Sequence, residues 1–379
     1  MPNKQAPIKR YLLPFVMKDL ERKMVFICGP RQVGKTTLAK TILGPALSSR
    51  YLNWDVDRDR TDILKGDFPA GPGVLVLDEI HKYRQWRQLL KGLFDKRGDE
   101  LRILVTGSAR LDHYRYGGDS LQGRYYFHRL HPLSAAELNL RTEKDLRDLM
   151  AFGGFPEPYF LKDPVETRRF SQGYRSRLIR DDLRDLERMT EIGLMERLAM
   201  RLPELVGSPL SINALREDLQ VAHSTVARWV DILENLYYIF RVYPFGTPKI
   251  RAVKKEAKHY HFDWTQVEEE GARFENLVAC HLLKWCHHLM DTEGRDMELR
   301  YFRDVDRREV DFVVMEKNKP ILFLECKISG QESSLPLRYL HERFPGVEAR
   351  QISLKDERPF VDKHGIRHDP AACFLVGLI

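Results

Sequence analysis

Cysteine is scarce and scattered. Cys28, Cys280, Cys286, Cys326 and Cys373 form no CxxC pair, which excludes a disulfide framework and fits a reducing cytoplasm. No apolar run approaches the ~18 residues of a membrane span, and Met1–Arg10 has no apolar signal core. A cytoplasmic protein without a membrane partner is expected. Internal repeats and low-complexity tracts are also missing. No N-K-x-D guanine motif occurs, because Asn318-Lys319-Pro320-Ile321 fails at its last position, so ATP is the expected nucleotide. Cys280, His281, Cys286, His287 and His288 point in several directions on a helix and lack zinc spacing, so packing is expected of them.

What remains is ample material for buried cores. The chain has 379 residues, 43% hydrophobic and 31% charged, which fits two or three globular domains. Lys plus Arg number 62 against 55 Asp plus Glu, a net charge of +7, compatible with a polyanionic partner. In the first third, Met24–Cys28, Tyr51–Trp54, Val74–Leu77, Ile103–Thr106 and Tyr125–Leu130 are short apolar runs between helical stretches. That pattern predicts βαβ units with a buried parallel sheet. The C-terminal Ala372–Ile379 is expected to be a strand.

Gly29-Pro30-Arg31-Gln32-Val33-Gly34-Lys35-Thr36 matches the P-loop pattern in full, between a strand and a helix beginning near Lys35. Such a turn aims backbone N–H groups at phosphate oxygens, and the helix N-terminus, with Thr37, adds its dipole. Lys35 is expected on the β- and γ-phosphates and the Thr36 hydroxyl on Mg²⁺. The run Val74–Leu77 ends in Asp78, expected in the Mg²⁺ shell, and Glu79, expected to orient and activate the attacking water. Ser108, with Thr106 in reserve, is placed to sense the γ-phosphate. Arg124 is a candidate arginine finger acting on a neighbouring subunit, which presupposes a homo-oligomer.

Ser211–Leu219 and Ser224–Leu236, joined by Gln220–His223, predict a helix–turn–helix in which Ser224 caps the second helix. Val226, Val230 and Leu233 would face the core, leaving Thr225, Arg228 and Trp229 outside. A strand and a basic loop follow. There Lys249, Arg251, Lys254, Lys255 and Lys258 accompany one acid, Glu256, a composition suited to DNA phosphate contacts. A winged helix used only for protein packing is the alternative.

Glu309–Met315 and Ile321–Lys327 flank Glu316–Pro320. Closed as an antiparallel hairpin through that five-residue loop, they set Asp311 opposite Glu325, with Lys327 on the same face. Two carboxylates and a lysine on an apolar hairpin are costly as pure core. They suit a divalent metal such as Mg²⁺ held by Asp311 and Glu325, with Lys327 orienting water towards a phosphodiester. The preceding helix, Glu268–Trp285, offers Glu275 as a further member. An ion pair capping a sheet edge is the alternative.

The P-loop, Leu77-Asp78-Glu79-Ile80, Thr106-Gly107-Ser108, Gly123-Arg124 with His131-Pro132-Leu133-Ser134, and Gly153-Gly154-Phe155-Pro156 together resemble prokaryotic AAA+-type ATPases with a C-terminal winged helix and a PD-(D/E)XK nuclease-like domain. The resemblance implies an α/β fold with central strand order 5-1-4-3-2 and a restriction-endonuclease-like domain after it. In that pattern Asp311 matches the nuclease aspartate, Glu325 and Lys327 match E-x-K, and Glu275 matches the first-helix glutamate. Val310 stands where the motif name has proline. The expected organisation is an ATPase core over 1–135, a helical linker over 136–200, a winged helix over 201–262 and a nuclease-like domain over 263–379. The expected function is an ATP-hydrolysing, DNA-binding protein with a Mg²⁺-dependent nuclease-type site, possible substrates including branched DNA. An ATP-driven remodelling or scaffold protein that does not cut, and an ATP-dependent switch for protein partners, remain as alternatives.

Overall fold

The computed structural model describes residues 8–43, 49–68, 70–107, 121–182, 192–246, 257–330, 332–355 and 358–379. Ser108, Lys249, Arg251, Lys254 and Lys255 lie outside the described residues. The chain divides into two compact units, Met1–Pro132 and Leu133–Ile379.

In the first unit, α1 (Leu13–Asp19) precedes β1 (Met24–Cys28) and α2 (Lys35–Leu43). β2 (Arg50–Asn53), α3 (Asp57–Lys65), β3 (Gly73–Asp78), α4 (Trp86–Arg97), β4 (Leu101–Thr106) and β5 (Tyr125–Arg129) follow. All five strands are parallel, in the order β2-β3-β4-β1-β5, which is the expected 5-1-4-3-2 seen from the other edge. β1 is buried along its whole length, as a central strand covered on both faces must be, and this is why its sequence is continuously apolar. Parallel strands bring their carboxyl ends to one edge of the sheet, where Cys28, Asp78 and Thr106 terminate.

The second unit opens with α5 (Ala135–Leu138), α6 (Glu143–Phe152), α7 (Pro156–Leu161) and α8 (Pro164–Arg177), followed by α9 (Ile192–Arg201). α10 (Ile212–Leu219) and α11 (His223–Asn235) lead into β6 (Ile239–Pro244) and β7 (Lys258–His261), an antiparallel pair. Next come α12 (Glu270–Glu293), β8 (Met297–Arg303), β9 (Glu309–Glu316), β10 (Lys319–Lys327), α13 (Leu335–Arg343), β11 (Glu348–Ser353), β12 (Phe360–Val361), β13 (Arg367–Pro370) and α14 (Ala371–Val376). The strands make one sheet in the order β12-β13-β11-β10-β9-β8-β6-β7. β6 joins β8 through Tyr243 opposite Arg300 and Pro244 opposite Tyr301, so the position expected to divide two domains, 262/263, falls within a continuous sheet.

Several local expectations are corrected. The C-terminal Ala372–Ile379 is not a strand, because Ala371–Val376 is helical; a short apolar run does not distinguish the two by periodicity. The second helix of the pair starts at His223 with Ala222, not Ser224, as its cap, whereas Ser211 does cap the first, accepting from Ala214 N at 3.3 Å. Val226, Val230 and Leu233 are buried as expected, but Trp229 is 1% exposed and belongs to the core. The β9–β10 turn is shorter than expected. Glu316 pairs with Lys319, and Lys317 and Asn318 both have positive φ, 47° and 62°, as a two-residue type I′ turn requires. A shift between Pro320 and Leu322 then restores the expected alignment, with Leu324 opposite Phe312.

Candidate functional site

The P-loop leaves β1 through a residue that can only be glycine. Gly29 has φ 139°, and a Cβ there would lie 2.2 Å from the Leu130 carbonyl oxygen. Gln32 (φ 60°) and Gly34 (φ 102°) are also left-handed, and such reversals turn backbone N–H groups into a concave anion cradle. Arg10 braces the loop, donating to Val33 O at 2.6 Å and His131 O at 2.5 Å. Lys35 is buried, and its ammonium donates to Gly29 O (2.9 Å) and Pro30 O (2.7 Å). Burial lowers its pKa from the usual lysine value. Thr37 is exposed one position past Thr36.

Asp78 gathers three hydroxyls. Thr36 Oγ1 donates to Oδ2 at 3.0 Å, Tyr51 Oη to the same oxygen at 2.5 Å, and Thr106 Oγ1 to Oδ1 at 2.6 Å. Thr106, the reserve for Ser108, is therefore committed to Asp78. Glu79 follows in a left-handed conformation, φ 56°, with Lys82 Nζ 3.4 Å and His81 Nε2 3.7 Å from its carboxylate. Burial raises the Glu79 pKa, against the pull of Lys82 and Lys35. A hard-oxygen donor, a threonine hydroxyl and a buried ammonium beside a backbone cradle fit a nucleotide triphosphate with Mg²⁺.

Arg124 is far from its own cradle. It precedes Tyr125, which pairs with Met24 at the start of β1, whereas the P-loop leaves the other end, about 16 Å away at the usual rise per residue. Its guanidinium pairs with Asp95, Nε to Oδ1 at 2.7 Å.

A second polar centre lies in the second unit. Asp311 on β9 accepts from Cys326 N of β10 at 2.8 Å, the neighbourhood that the hairpin register predicted for Asp311 and Glu325. Glu325 is buried, with one oxygen 2.7 Å from Lys327 Nζ and the other, Oε2, buried with no hydrogen-bond partner among the described residues. Glu275 on α12 accepts from Tyr260 Oη at 2.6 Å and Lys258 Nζ at 3.1 Å, and Lys258 Nζ also reaches Glu309 Oε1 at 2.6 Å. Gly207, with φ 81°, packs against Glu275, where a Cβ would come within 3.2 Å of the carboxylate. Burial raises the pKa of Glu275, Asp311 and Glu325, and the Asp311 charge adds to the rise at the two glutamates. The nearby carboxylates keep Lys258 protonated despite its burial.

The centre thus includes Asp311, Glu325, Lys327 and Glu275, together with Lys258, Tyr260 and Glu309, which the sequence reading had not placed there. Lys258 is corrected outright: it is 1% exposed and faces carboxylates inside the fold, not solvent. Asp311 and Glu325 offer oxygen donors of the kind that fit a divalent cation. Among the described residues, however, no three His, Cys, Asp or Glu side chains converge as a metal site.

The remaining candidates are separate. Thr225 is half-buried and Arg228 exposed on α11. The Cys/His cluster on α12 packs: Cys280 Sγ donates to His261 O at 3.2 Å, and His281 Nε2 accepts from Ala135 N at 3.0 Å. Lys284 on that helix donates to Ser134 Oγ at 2.8 Å and pairs with Glu137, which gives Ser134 a structural use.

Residues 21–139 match the family model of an AAA domain, and two domains of unknown function, DUF8612 and DUF4143, match 143–265 and 270–364. Together with the five-stranded parallel sheet and its P-loop, the first match supports an AAA-type P-loop ATPase fold for residues 21–139. An uncharacterized protein of Haemophilus influenzae is 21% identical over 347 residues, 81% of this chain and 83% of that protein. An uncharacterized protein of Mycobacterium tuberculosis is 24% identical over 229 residues, 59% of this chain and 50% of that protein. The chain spans about half the length of such mycobacterial relatives. The Aeropyrum pernix Orc1 protein in complex with DNA gives a TM-score of 0.36 at 13% identity, covering 74% of this chain and 95% of that one. That likeness is too slight to carry a fold or a function. Among the described residues no helix is long and apolar enough to cross a membrane.

Proposed function

We propose that the protein hydrolyses ATP and uses the cycle to act on DNA. The observation that carries the ATPase reading is the convergence of Thr36, Tyr51 and Thr106 on Asp78 beside Lys35 and Glu79. Mg²⁺, held by Thr36 and Asp78, would supply charge neutralisation for the triphosphate. Lys35 exchanges its two carbonyl partners for phosphate oxygens, and Glu79 holds the attacking water and takes its proton. Arg124 acts on the nucleotide of a neighbouring copy in a homo-oligomer. In the second unit, α10, α11 and the β6–β7 hairpin serve as a winged helix. Arg228, Thr225 and the lysines and arginine between 249 and 255 contact phosphates.

The carboxylate centre is read as a PD-(D/E)XK-type site, supported by Asp311 and Glu325 on paired strands with Lys327 two residues on. Asp311 and Glu325 would hold Mg²⁺ there, while Lys327 and Glu275 orient the water and the scissile phosphate. A second reading, in which this domain grips DNA without cutting it, is favoured by one observation: Lys258 is already buried among the carboxylates. Labelled duplex, single-stranded and four-way-junction DNA, incubated with Mg²⁺ with and without ATP, decides between them. Cleavage by the wild type that Glu325→Ala abolishes supports cutting, and retarded but uncut DNA supports gripping.

A further inference from the structure

The carboxylate centre holds one cation that is wholly interior. Lys327 and Arg303, which faces Glu309 Oε2 at 3.5 Å, have side chains 42% and 37% exposed, whereas that of Lys258 is 1% exposed. Lys258 enters from β7, at the edge of the sheet, while Asp311, Glu309 and Glu325 stand on β9 and β10, separated from it in the strand order by β6 and β8. Tyr260 shares the Lys258 face of β7, because strand side chains alternate. Its hydroxyl and the ammonium both bind Glu275 Oε1. Glu275 is thereby held on the Lys258 side. Glu325 Oε2 is buried and, among the described residues, has no hydrogen-bond partner.

A lone ammonium taken into the interior is strongly disfavoured unless partnered. Lys258 is kept there by two carboxylates, and they are kept there by it. A divalent cation settling between Asp311 and Glu325 would therefore meet two obstacles. It would lie close to a fixed positive charge, and the third carboxylate, Glu275, is already bonded elsewhere.

We infer that Lys258 is the resident counter-ion of this centre, holding Glu275 and Glu309 so that the resting protein takes up a divalent cation only weakly. The inference rests on the nuclease-type reading of Asp311 and Glu325. It makes Lys258 a positioning residue: it touches Glu275 and Glu309 and sets what the centre admits. Removing its charge leaves Glu275 held, among the described residues, by Tyr260 Oη alone and should let it turn towards Asp311 and Glu325, completing a set of three hard-oxygen donors.

The test is Mn²⁺ uptake by the nucleotide-free, DNA-free full chain, followed by isothermal titration calorimetry and by the paramagnetic signal of free Mn²⁺. The wild type is compared with Lys258→Met and with Lys258→Met/Glu325→Gln. Lys258→Gln, nearly the same length and still able to hydrogen-bond, replaces Lys258→Met if circular dichroism shows that variant misfolded. The expected result is weak uptake by the wild type, uptake about tenfold or more tighter in Lys258→Met, and its loss in the double variant. Equally tight uptake by the wild type and Lys258→Met, lost in both on Glu325→Gln, overturns the inference and leaves the nuclease-type reading standing. No uptake in a folded Lys258 variant, or uptake indifferent to Glu325→Gln, overturns that reading and the inference with it. Should neither Lys258 variant fold, the wild type still decides: tight uptake that Glu325→Gln removes overturns the inference, and weak uptake that Glu325→Gln abolishes upholds it.

Discussion

At the scale of single residues, the proposed nucleotide site divides into what a motif announces and what only folding assembles. Gly29 to Thr36, Asp78 and Glu79 are legible because their chemistry is local: a turn, a hydroxyl and two acids at strand ends. Arg10 and Tyr51 are not, since nothing in their own neighbourhoods links them to Val33, His131 or Asp78. Lys258 was misread for the opposite reason. It follows a run of basic residues, and composition alone grouped it with them as a DNA phosphate contact. Lys35→Ala should abolish ATP turnover, and normal turnover would remove the P-loop assignment. Glu79→Gln should keep nucleotide binding yet lower turnover by roughly 10²-fold or more, measured under single-turnover conditions. Tyr51→Phe removes one of the three hydroxyls on Asp78. It should raise the Mg²⁺ concentration needed for half-maximal turnover while leaving the melting temperature nearly unchanged.

At the scale of elements, the hairpin register was legible and its turn was not. Alternation fixed Asp311 near Glu325, whereas Lys317-Asn318 as a left-handed pair carries no strong turn signature, and the irregularity at Ile321 hides the offset. The elements β7 and α12 also carry a pH dependence. His259 and His281 are buried, and loss of water pushes each down to about 4. An unfolded histidine titrates near 6.5. Their contribution to stability is therefore full above about pH 6.5 and is lost as pH falls from 6.5 towards 4, where the unfolded chain takes up protons that the folded one refuses. Glu275 and Glu325, raised by burial, act in the opposite sense, so the comparison is between proteins. The melting temperature of His259→Gln/His281→Gln should fall less steeply over that range than that of the wild type. Parallel curves would contradict this.

For the whole molecule, the five apolar runs announce the parallel sheet of the first unit, whereas its strand order came from the family resemblance and agrees with the order observed. The second unit was harder. Its segments were treated as successive domains, yet one sheet runs from β7 to β12, because β6 pairs with β8 across a stretch of chain that includes α12. Non-local pairing of this kind leaves no mark in sequence periodicity. The same scale holds the proposal for Arg124, whose place at the opposite strand ends denies it a role on its own nucleotide. Mixing Arg124→Ala with Lys35→Ala chains should restore part of the turnover that each lacks alone, since one supplies an intact P-loop and the other the arginine. Turnover of the mixture no greater than the sum of its parts would contradict action between copies.

The most direct measurement is steady-state ATP turnover by the full chain, with and without duplex DNA at low and high salt, beside Lys35→Ala. The account predicts turnover that depends on Lys35 and changes when DNA is added, the DNA effect fading as salt screens the phosphate contacts. Turnover that DNA leaves untouched at low salt, or that survives loss of the Lys35 ammonium, would contradict it.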